Sequence, residues 1–527
     1  MIEDVKIETP VLSATAPTDE PAGPEKVRGR RRLRVRRESI SPPSSGFFQP
    51  LPLWVWLVSL GLAAFGAFSA NPAVTPVAVL ILPVLASLLW FPSEPPVLLF
   101  ACGMQWLQAA VAIFYTDFYF QPFSAMPGGA ELIEATWLSL IGVLVVAIGM
   151  RLALIRRRTG IARQLEHETR LLQPPAIFAW YLAAFVVFYF GGRFAWSFPS
   201  LAQPLLATMT LKWVLVFLLT YAVLVHRRNY ALLGIVVCLE FFTGLLGFFS
   251  SFKNVFFVLI VVLPTARFVF RGWRLVQCCI VGALLLAFGV IWTVIKSDYR
   301  EFLNQGTGQQ TVLVPVPERI GKLSELIGGL DRRSLDEGLE MMILRVSYIS
   351  YFAMTLAHVP ESVPHENGAL WFGAIKHVLT PRLLFPNKPS IDDSARTEKY
   401  AGVQVSGAEQ GTSISLGYVA ESYIDFGLKG MFAPILILGL FYGLIYRFFA
   451  DHQPYRVLGL AMATSILVFG AYSIETSNIK LVGGNLMSLI VIGLFSKIAG
   501  KWFWQGLTQQ EVPHRRIRKS RKQRVES

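Results

Sequence analysis

Cysteine is scarce: the 527-residue chain has four, Cys102, Cys238, Cys278 and Cys279. All four lie inside apolar blocks, and none has the paired spacing a tetrahedral metal site requires, so they read as packing residues. Nucleotide and zinc signatures are missing as well. Gly321-Lys322 is followed by Leu323 and lacks the upstream glycine of a phosphate loop, and no His-Glu-x-x-His occurs, which argues against ATP-driven export and zinc proteolysis. Asp392-Asp393 has no obvious third ligand and reads as a turn, so neither a metal nor a cofactor is expected. Internal repeats are not visible, and no cleavable signal peptide precedes the first apolar block near Leu51. Acidic residues are absent from residues 26–37, with eight Lys or Arg, and from 515–524, with seven; these two windows account for the whole formal charge of +14. Both flank the apolar region, where such clusters stay cytoplasmic and attract anionic headgroups, so nucleic acid is not an expected partner.

What the chain does have is apolar length. With 54% hydrophobic residues and a mean hydropathy of +0.50, it is too apolar for an ordinary soluble chain of this size. Blocks of roughly 18–23 residues, long enough to cross a bilayer as helices, predict spans at 51–70, 73–92, 97–116, 132–154, 176–196, 205–225, 230–250, 254–270 and 275–296, then 431–450, 457–475 and 481–499. The expected fold is all-α: a polytopic integral membrane protein of about twelve transmembrane helices with one long periplasmic loop that itself contains helices. Its parts are a disordered basic tail at 1–50, nine spans in 51–296, the loop at 297–430, three spans in 431–499 and a second basic tail at 500–527. With the N-terminus inside, Arg156-Arg157-Arg158, His226-Arg227-Arg228 and Arg271-Gly272-Trp273-Arg274 all fall on the cytoplasmic side, twelve crossings return the C-terminus there, and the loop faces outward.

On that orientation Arg193, Lys212, Lys253, Lys296 and Arg300 break the positive-inside pattern, since each sits at or near the outer end of a span. Snorkelling to headgroups is open to Lys212 and Lys296. Five cations gathered on the side of the loop also fit a shared anionic ligand such as a lipid phosphate. Glu240, near the middle of its span, is left without a role. Within the loop, residues 341–358 form an apolar segment carrying Arg345, read as a helix in the interface or dipping back into the bundle. From Asp298 to Lys429 twelve Lys or Arg meet sixteen Asp or Glu, together with His358, His365 and His377, a mixture suited to binding anions and moving protons. In Pro381-Arg382-Leu383-Leu384-Phe385-Pro386-Asn387-Lys388-Pro389 the prolines stiffen the backbone around two cations. Downstream, Thr412-Ser413-Ile414-Ser415 leads to Glu421-Ser422-Tyr423-Ile424-Asp425-Phe426-Gly427-Leu428-Lys429-Gly430 and into a span. Glu421 and Tyr423 are equally readable as anchors of that span.

These elements resemble the bacterial oligosaccharide repeat-unit polymerases, the O-antigen polymerase (Wzy) family, in the order Pro-Arg with Pro-x-Lys-Pro, a Ser/Thr stretch, then Glu-x-Tyr-x-x-Phe-Gly-x-x-Gly. Ser250-Ser251-Phe252-Lys253 resembles the family's short outer turn and Tyr299-Arg300 the pair that opens its loop, while the long N-terminal tail and the delayed Phe385 depart from it. Arg396 and Gly407, with ten residues between them, resemble an Arg-rich element of the class. The resemblance implies a glycosyltransferase that polymerises undecaprenyl-pyrophosphate-linked repeat units at the periplasmic face of the bacterial inner membrane. Its partners would be that lipid-linked oligosaccharide, membrane lipids, a chain-length regulator and a flippase. It implies pyrophosphate or glycan contacts from Arg382, Lys388, Arg345, Lys253, Arg300 and Tyr423, and a base among Glu409, Glu421, His358 and His377. The alternatives are a ligase passing the same glycan to another acceptor, and a flippase or transporter for the lipid-linked sugar.

Overall fold

A computed structural model describes residues 47–155, 162–197, 201–248, 251–266, 272–307, 312–382, 384–385, 387–388, 391–407 and 412–508. The basic windows at 26–37 and 515–524, the Arg156-Arg157-Arg158 cluster, Arg271 and the expected base Glu409 lie outside these residues. Among the described residues the fold is all-helical, apart from one isolated bridge between Leu172 and Thr508.

The first half holds α1 (Leu53–Gly66), α2 (Thr75–Leu89), α3 (Val97–Phe118), α4 (Glu131–Leu154), the short polar α5 (Ala162–Leu171), α6 (Pro174–Ser197), α7 (Ala202–Thr208), α8 (Thr210–His226), α9 (Tyr230–Leu245), α10 (Asn254–Thr265) and α11 (Trp273–Asn304). The expected loop contains α12 (Val316–Gly328), α13 (Arg332–Val346), α14 (Ser350–His358), α15 (Ala369–Leu379), α16 (Asp393–Ala401) and α17 (Tyr418–Gly430). Three helices close the chain: α18 (Phe432–His452), α19 (Arg456–Gly470) and α20 (Asn478–Leu507).

Every one of the twelve expected spans coincides with an apolar helix, but they divide by length. Among the described residues seven are long and apolar enough to cross a membrane: α3, α4, α6, the α7–α8 run from Gln203 to His226, α11, α18 and α20. The other five, α1, α2, α9, α10 and α19, have 12 to 16 residues, which at 1.5 Å per residue is roughly 18–24 Å against a hydrocarbon core of about 30 Å. Hydropathy counts apolar residues and does not register where a helix ends inside an apolar run. The segment 341–358 is two helices, α13 and α14, bent by 55° at Ser347 to Ile349.

Small residues set the closest approach in the bundle. Gly439 and Gly443 of α18 form a Gly-x-x-x-Gly pair facing α4, where an added Cβ would run into the carbonyls of Val146 and Met150, and Gly149 of α4 faces the α18 backbone in the same way. Such stripes let helix backbones touch where side chains would hold them apart. Hydroxyls inside the apolar helices return to their own turn: Thr116, Thr136, Thr220 and Thr265 each donate to the carbonyl four residues earlier, which satisfies them without water. The cation Lys212 and the carboxylate Glu240, both within expected spans, are partners. Lys212 Nζ lies 2.9 Å from Glu240 Oε2, and the Tyr181 hydroxyl donates to Glu240 Oε1 at 2.7 Å, tying α6, α8 and α9 together.

Candidate functional site

Residues 471–477 interrupt the helix between α19 and α20, and two glutamines of α3 hold the break. Gln105 Nε2 donates to the Ala471 carbonyl at 2.6 Å, and the Ile474 amide donates to Gln108 Oε1 at 2.8 Å. Gln105 Oε1 also accepts from the Tyr418 hydroxyl at 2.6 Å. Gly417, at φ +88°, passes so close to the Ile474 carbonyl that no Cβ fits, and Ser415 donates its hydroxyl to the Glu475 carbonyl. Tyr348, just past the α13 bend, donates its hydroxyl to Ser415 O at 2.6 Å. Four stretches distant in sequence thus interlock, because buried backbone groups outside helices must find partners.

α17 organises the next shell, and its polar side chains reach to other helices. Glu421 is 2% exposed. Its Oε2 accepts the Asn478 amide at the start of α20 at 2.8 Å. Asp425 accepts the Leu370 and Trp371 amides at the start of α15 at 2.9 and 2.8 Å, and Ser422 accepts from Trp371 Nε1 at 3.0 Å. Carboxylates at helix N-termini meet unsatisfied amides and the positive end of the helix dipole. Tyr423 is buried against Phe352 and His365 and donates its hydroxyl to the Val359 carbonyl at 2.8 Å, so it anchors the α14 end.

Beside Glu421 sits a network of charge in which the carboxylates are buried and the cations reach the surface. Arg396 approaches Glu421 Oε1 at 3.9 Å, and Asp393 Oδ2 pairs with Lys480 Nζ at 2.7 Å and accepts from Ser477 Oγ at 3.1 Å. Asp393 Oδ1, one Arg396 nitrogen and both side-chain polar atoms of Asn478 have no hydrogen-bond partner among the described residues. The Asp392-Asp393 pair is not a turn: Asp392 caps α16 by accepting the Ala395 amide at 3.0 Å, and Asp393 begins the helix. Burial, partly offset by the Asn478 amide and Arg396, pushes the Glu421 carboxyl up to about 7.

Three cavities share Lys480. One of about 540 Å³ is lined by Arg345, Tyr348, Tyr351, Ser413, Glu475 and Lys480 among others. A second, of about 490 Å³, is lined by His377, Pro381, Arg382, Lys388, Ile479 and Lys480. The third, about 330 Å³, is lined by Trp213, Ser473, Thr476, Asn485 and Lys480.

Of the expected phosphate contacts, Arg345 repels Lys253, Lys296 and Arg300, with Glu475 the carboxylate that attracts Lys253 and Lys296. Arg300 donates Nε to the Phe248 carbonyl at 3.1 Å and stacks over its ring, and among the described residues Lys253, Lys296 and Arg345 form no ion pair. A second group gathers around the proline-rich element. Lys388 Nζ donates to the His377 carbonyl and, at 2.9 Å, to that of Thr380, capping the end of α15 while facing the same cavity as Arg382. Burial, then Lys388, Arg382 and Arg396, hold His377 below its ordinary range, which keeps the imidazole neutral near pH 7. His358, at the end of α14, packs against Gly402 and lines none of the three cavities.

Sequence reasoning passed over Glu475 and Lys480, the two charged residues that face the cavities from the α19–α20 break. Their signal was a polar run, Ser473-Ile474-Glu475-Thr476-Ser477, between two expected spans, read there only as a connection.

Fold and site define an all-helical protein with helices long and apolar enough to cross a membrane and cation-lined cavities gathered at their ends. A family described as Domain of unknown function (DUF8712) matches residues 151–493, well over half of the chain, and the chain belongs to that family. No curated protein and no solved structure matches it.

Proposed function

We propose that the chain is a bacterial inner-membrane glycosyltransferase that polymerises oligosaccharide repeat units carried on undecaprenyl pyrophosphate. In this reading it crosses the membrane twelve times with both termini in the cytoplasm, and 297–430 is its periplasmic loop. The observation that supports it best is the cavity lined by Arg345 and Glu475 together with tyrosines and serines, with Lys253, Lys296 and Arg300 close enough to feel the charge of Arg345, and Lys253 and Lys296 that of Glu475. Unneutralised cations at a partly buried site call for an anion, and a wall of aromatic and hydroxyl groups suits a sugar.

The acceptor hydroxyl oxygen attacks the anomeric carbon of the donor sugar, and the carbon–oxygen bond to the pyrophosphate breaks. Glu475, which lines the cavity, takes the hydroxyl proton. The leaving lipid pyrophosphate gathers negative charge, which the four cations stabilise. Glu421 works from behind as a positioning residue, holding the start of α20 and thereby Glu475 and Lys480. His377, Arg382 and Lys388 line the neighbouring cavity, which suits the second lipid-linked unit.

Purified protein incubated with polyprenyl-pyrophosphate-linked repeat units should give a product ladder on the lipid. Arg345→Ala and Glu475→Gln should each lower its rate by about a hundredfold or more while leaving the thermal unfolding midpoint near wild type. No ladder from folded wild-type protein would sink the polymerase reading, and a single transfer to a non-lipid acceptor would replace it with the ligase.

A further inference from the structure

A fourth cavity, of about 690 Å³, lies between α18 and α20 and has no part in the site described above. Its walls are apolar, including Phe441, Leu444, Phe448, Ile490 and Leu494, and its rim carries three basic residues, Arg447, His452 and Lys497. Height along the helices fixes where that rim sits. α18 begins at Phe432, directly after α17, and Arg447 and His452 fall about 15 and 20 residues later; α20 begins at Asn478 beside Glu421, and Lys497 follows about 19 residues on. At 1.5 Å per residue these are roughly 22, 30 and 28 Å from the Glu421 end, close to one hydrocarbon thickness. These basic residues therefore stand at the opposite interface, and the apolar walls run from them back toward the middle of the helices.

We propose that this groove binds an anionic membrane phospholipid, with its phosphate among Arg447, His452 and Lys497 and an acyl chain along Phe441, Leu444, Phe448, Ile490 and Leu494. Charge favours this occupant. Lys497 is exposed and has no counter-ion among the described residues. Arg447 donates to the Ala153 carbonyl at 3.2 Å and has Asp451 at 4.0 Å, but Asp451 is itself taken by Arg456 at 2.9 Å. The rim keeps a positive excess at headgroup height, where each cation strengthens binding of an anionic lipid several-fold. A zwitterionic headgroup lacks the net charge to use it, and a soluble anion would leave the apolar walls uncovered. Room is built in as well: a Cβ added at Gly493 meets only Phe448, at 3.9 Å.

The test is native mass spectrometry of the full-length protein released from detergent, titrated with phosphatidylglycerol and phosphatidylcholine of matched chains. Wild type should retain phosphatidylglycerol over phosphatidylcholine. Lys497→Glu should lower that retention by at least about fivefold. Gly493→Leu, which fills the groove and leaves Arg447, His452 and Lys497 in place, should lower retention of the lipid to a similar degree, while both variants keep the wild-type unfolding midpoint in plain detergent. Equal retention of the two lipids by wild type, or unchanged phosphatidylglycerol retention in both variants, would overturn the proposal. Loss in Lys497→Glu alone would do so for the groove, leaving only surface attraction.

Discussion

Glu421 shows how one buried carboxyl ties stability to pH. Its folded pKa, about 7, lies above the ordinary 4.5 because burial disfavours the charged form. Below pH 4.5 both folded and unfolded states hold the proton, and its contribution is fully present. As pH rises toward 7 the unfolded chain gives up the proton first, so stability falls, by about 3 kcal/mol once pH exceeds 7. Glu421→Gln keeps an oxygen for the Asn478 amide and cannot ionise. Its melting temperature should therefore fall less than that of wild type between pH 5 and pH 8, as calorimetry in detergent would show. Lys480 gives a second case. Asp393 is 1% exposed, so Lys480→Ala leaves a buried carboxylate with only the Ser477 hydroxyl. Because Lys480 is itself partly exposed, the expected loss is about 2 kcal/mol, below that of a fully buried pair. Adding Asp393→Asn should recover most of it in a double-mutant cycle.

At the scale of elements, α4 and α18 depend on contact that glycine alone permits. Gly439→Leu would push α18 off the Val146 carbonyl and should destabilise by about 3 kcal/mol or more, whereas Gly61→Leu in α1, with nothing within 4 Å of its Cβ, should leave the unfolding midpoint unchanged. The Gly-x-x-x-Gly spacing at 439–443 was present in the chain to be read. The short polar helix α5 was not anticipated, because it has no apolar run. It is held by what it meets: Glu168 accepts the Val457 amide at the start of α19 at 2.9 Å, and His226 bonds the Thr169 and Leu172 carbonyls. Likewise the element Glu421-Ser422-Tyr423-Ile424-Asp425 carries no mark that its carboxylates cap α20 and α15 rather than the helix that follows them.

For the molecule as a whole, the proposed twelve crossings place Ser413 and His452 on opposite sides of the membrane. In a cysteine-free background, a membrane-impermeant thiol reagent applied to intact cells should label Ser413→Cys and spare His452→Cys. Labelling in the reverse sense would invert the orientation, and labelling of both would break the count of crossings. The five short helices make this measurement decisive, since apolar character alone does not say whether a helix of 12 to 16 residues crosses by tilting, by thinning the bilayer or not at all.

The positions of the apolar helices were determined by the sequence alone, because an apolar run that leaves water must satisfy its own peptide groups, and a helix does so within the run. The cations Lys253 and Arg300 were legible because charge at the end of a span stands out against its surroundings, Arg345 because it interrupts an apolar segment, and Arg382 and Lys388 because prolines flank them. Tertiary structure alone decided which of them share a site, how Lys212 and Glu240 pair, and that Glu475 and Lys480 belong beside them. The break that carries Glu475 is held by Gln105 and Gln108, each 366 residues from the group it bonds. Bonds over such separations depend on how helices pack, and local pattern carries no record of that packing.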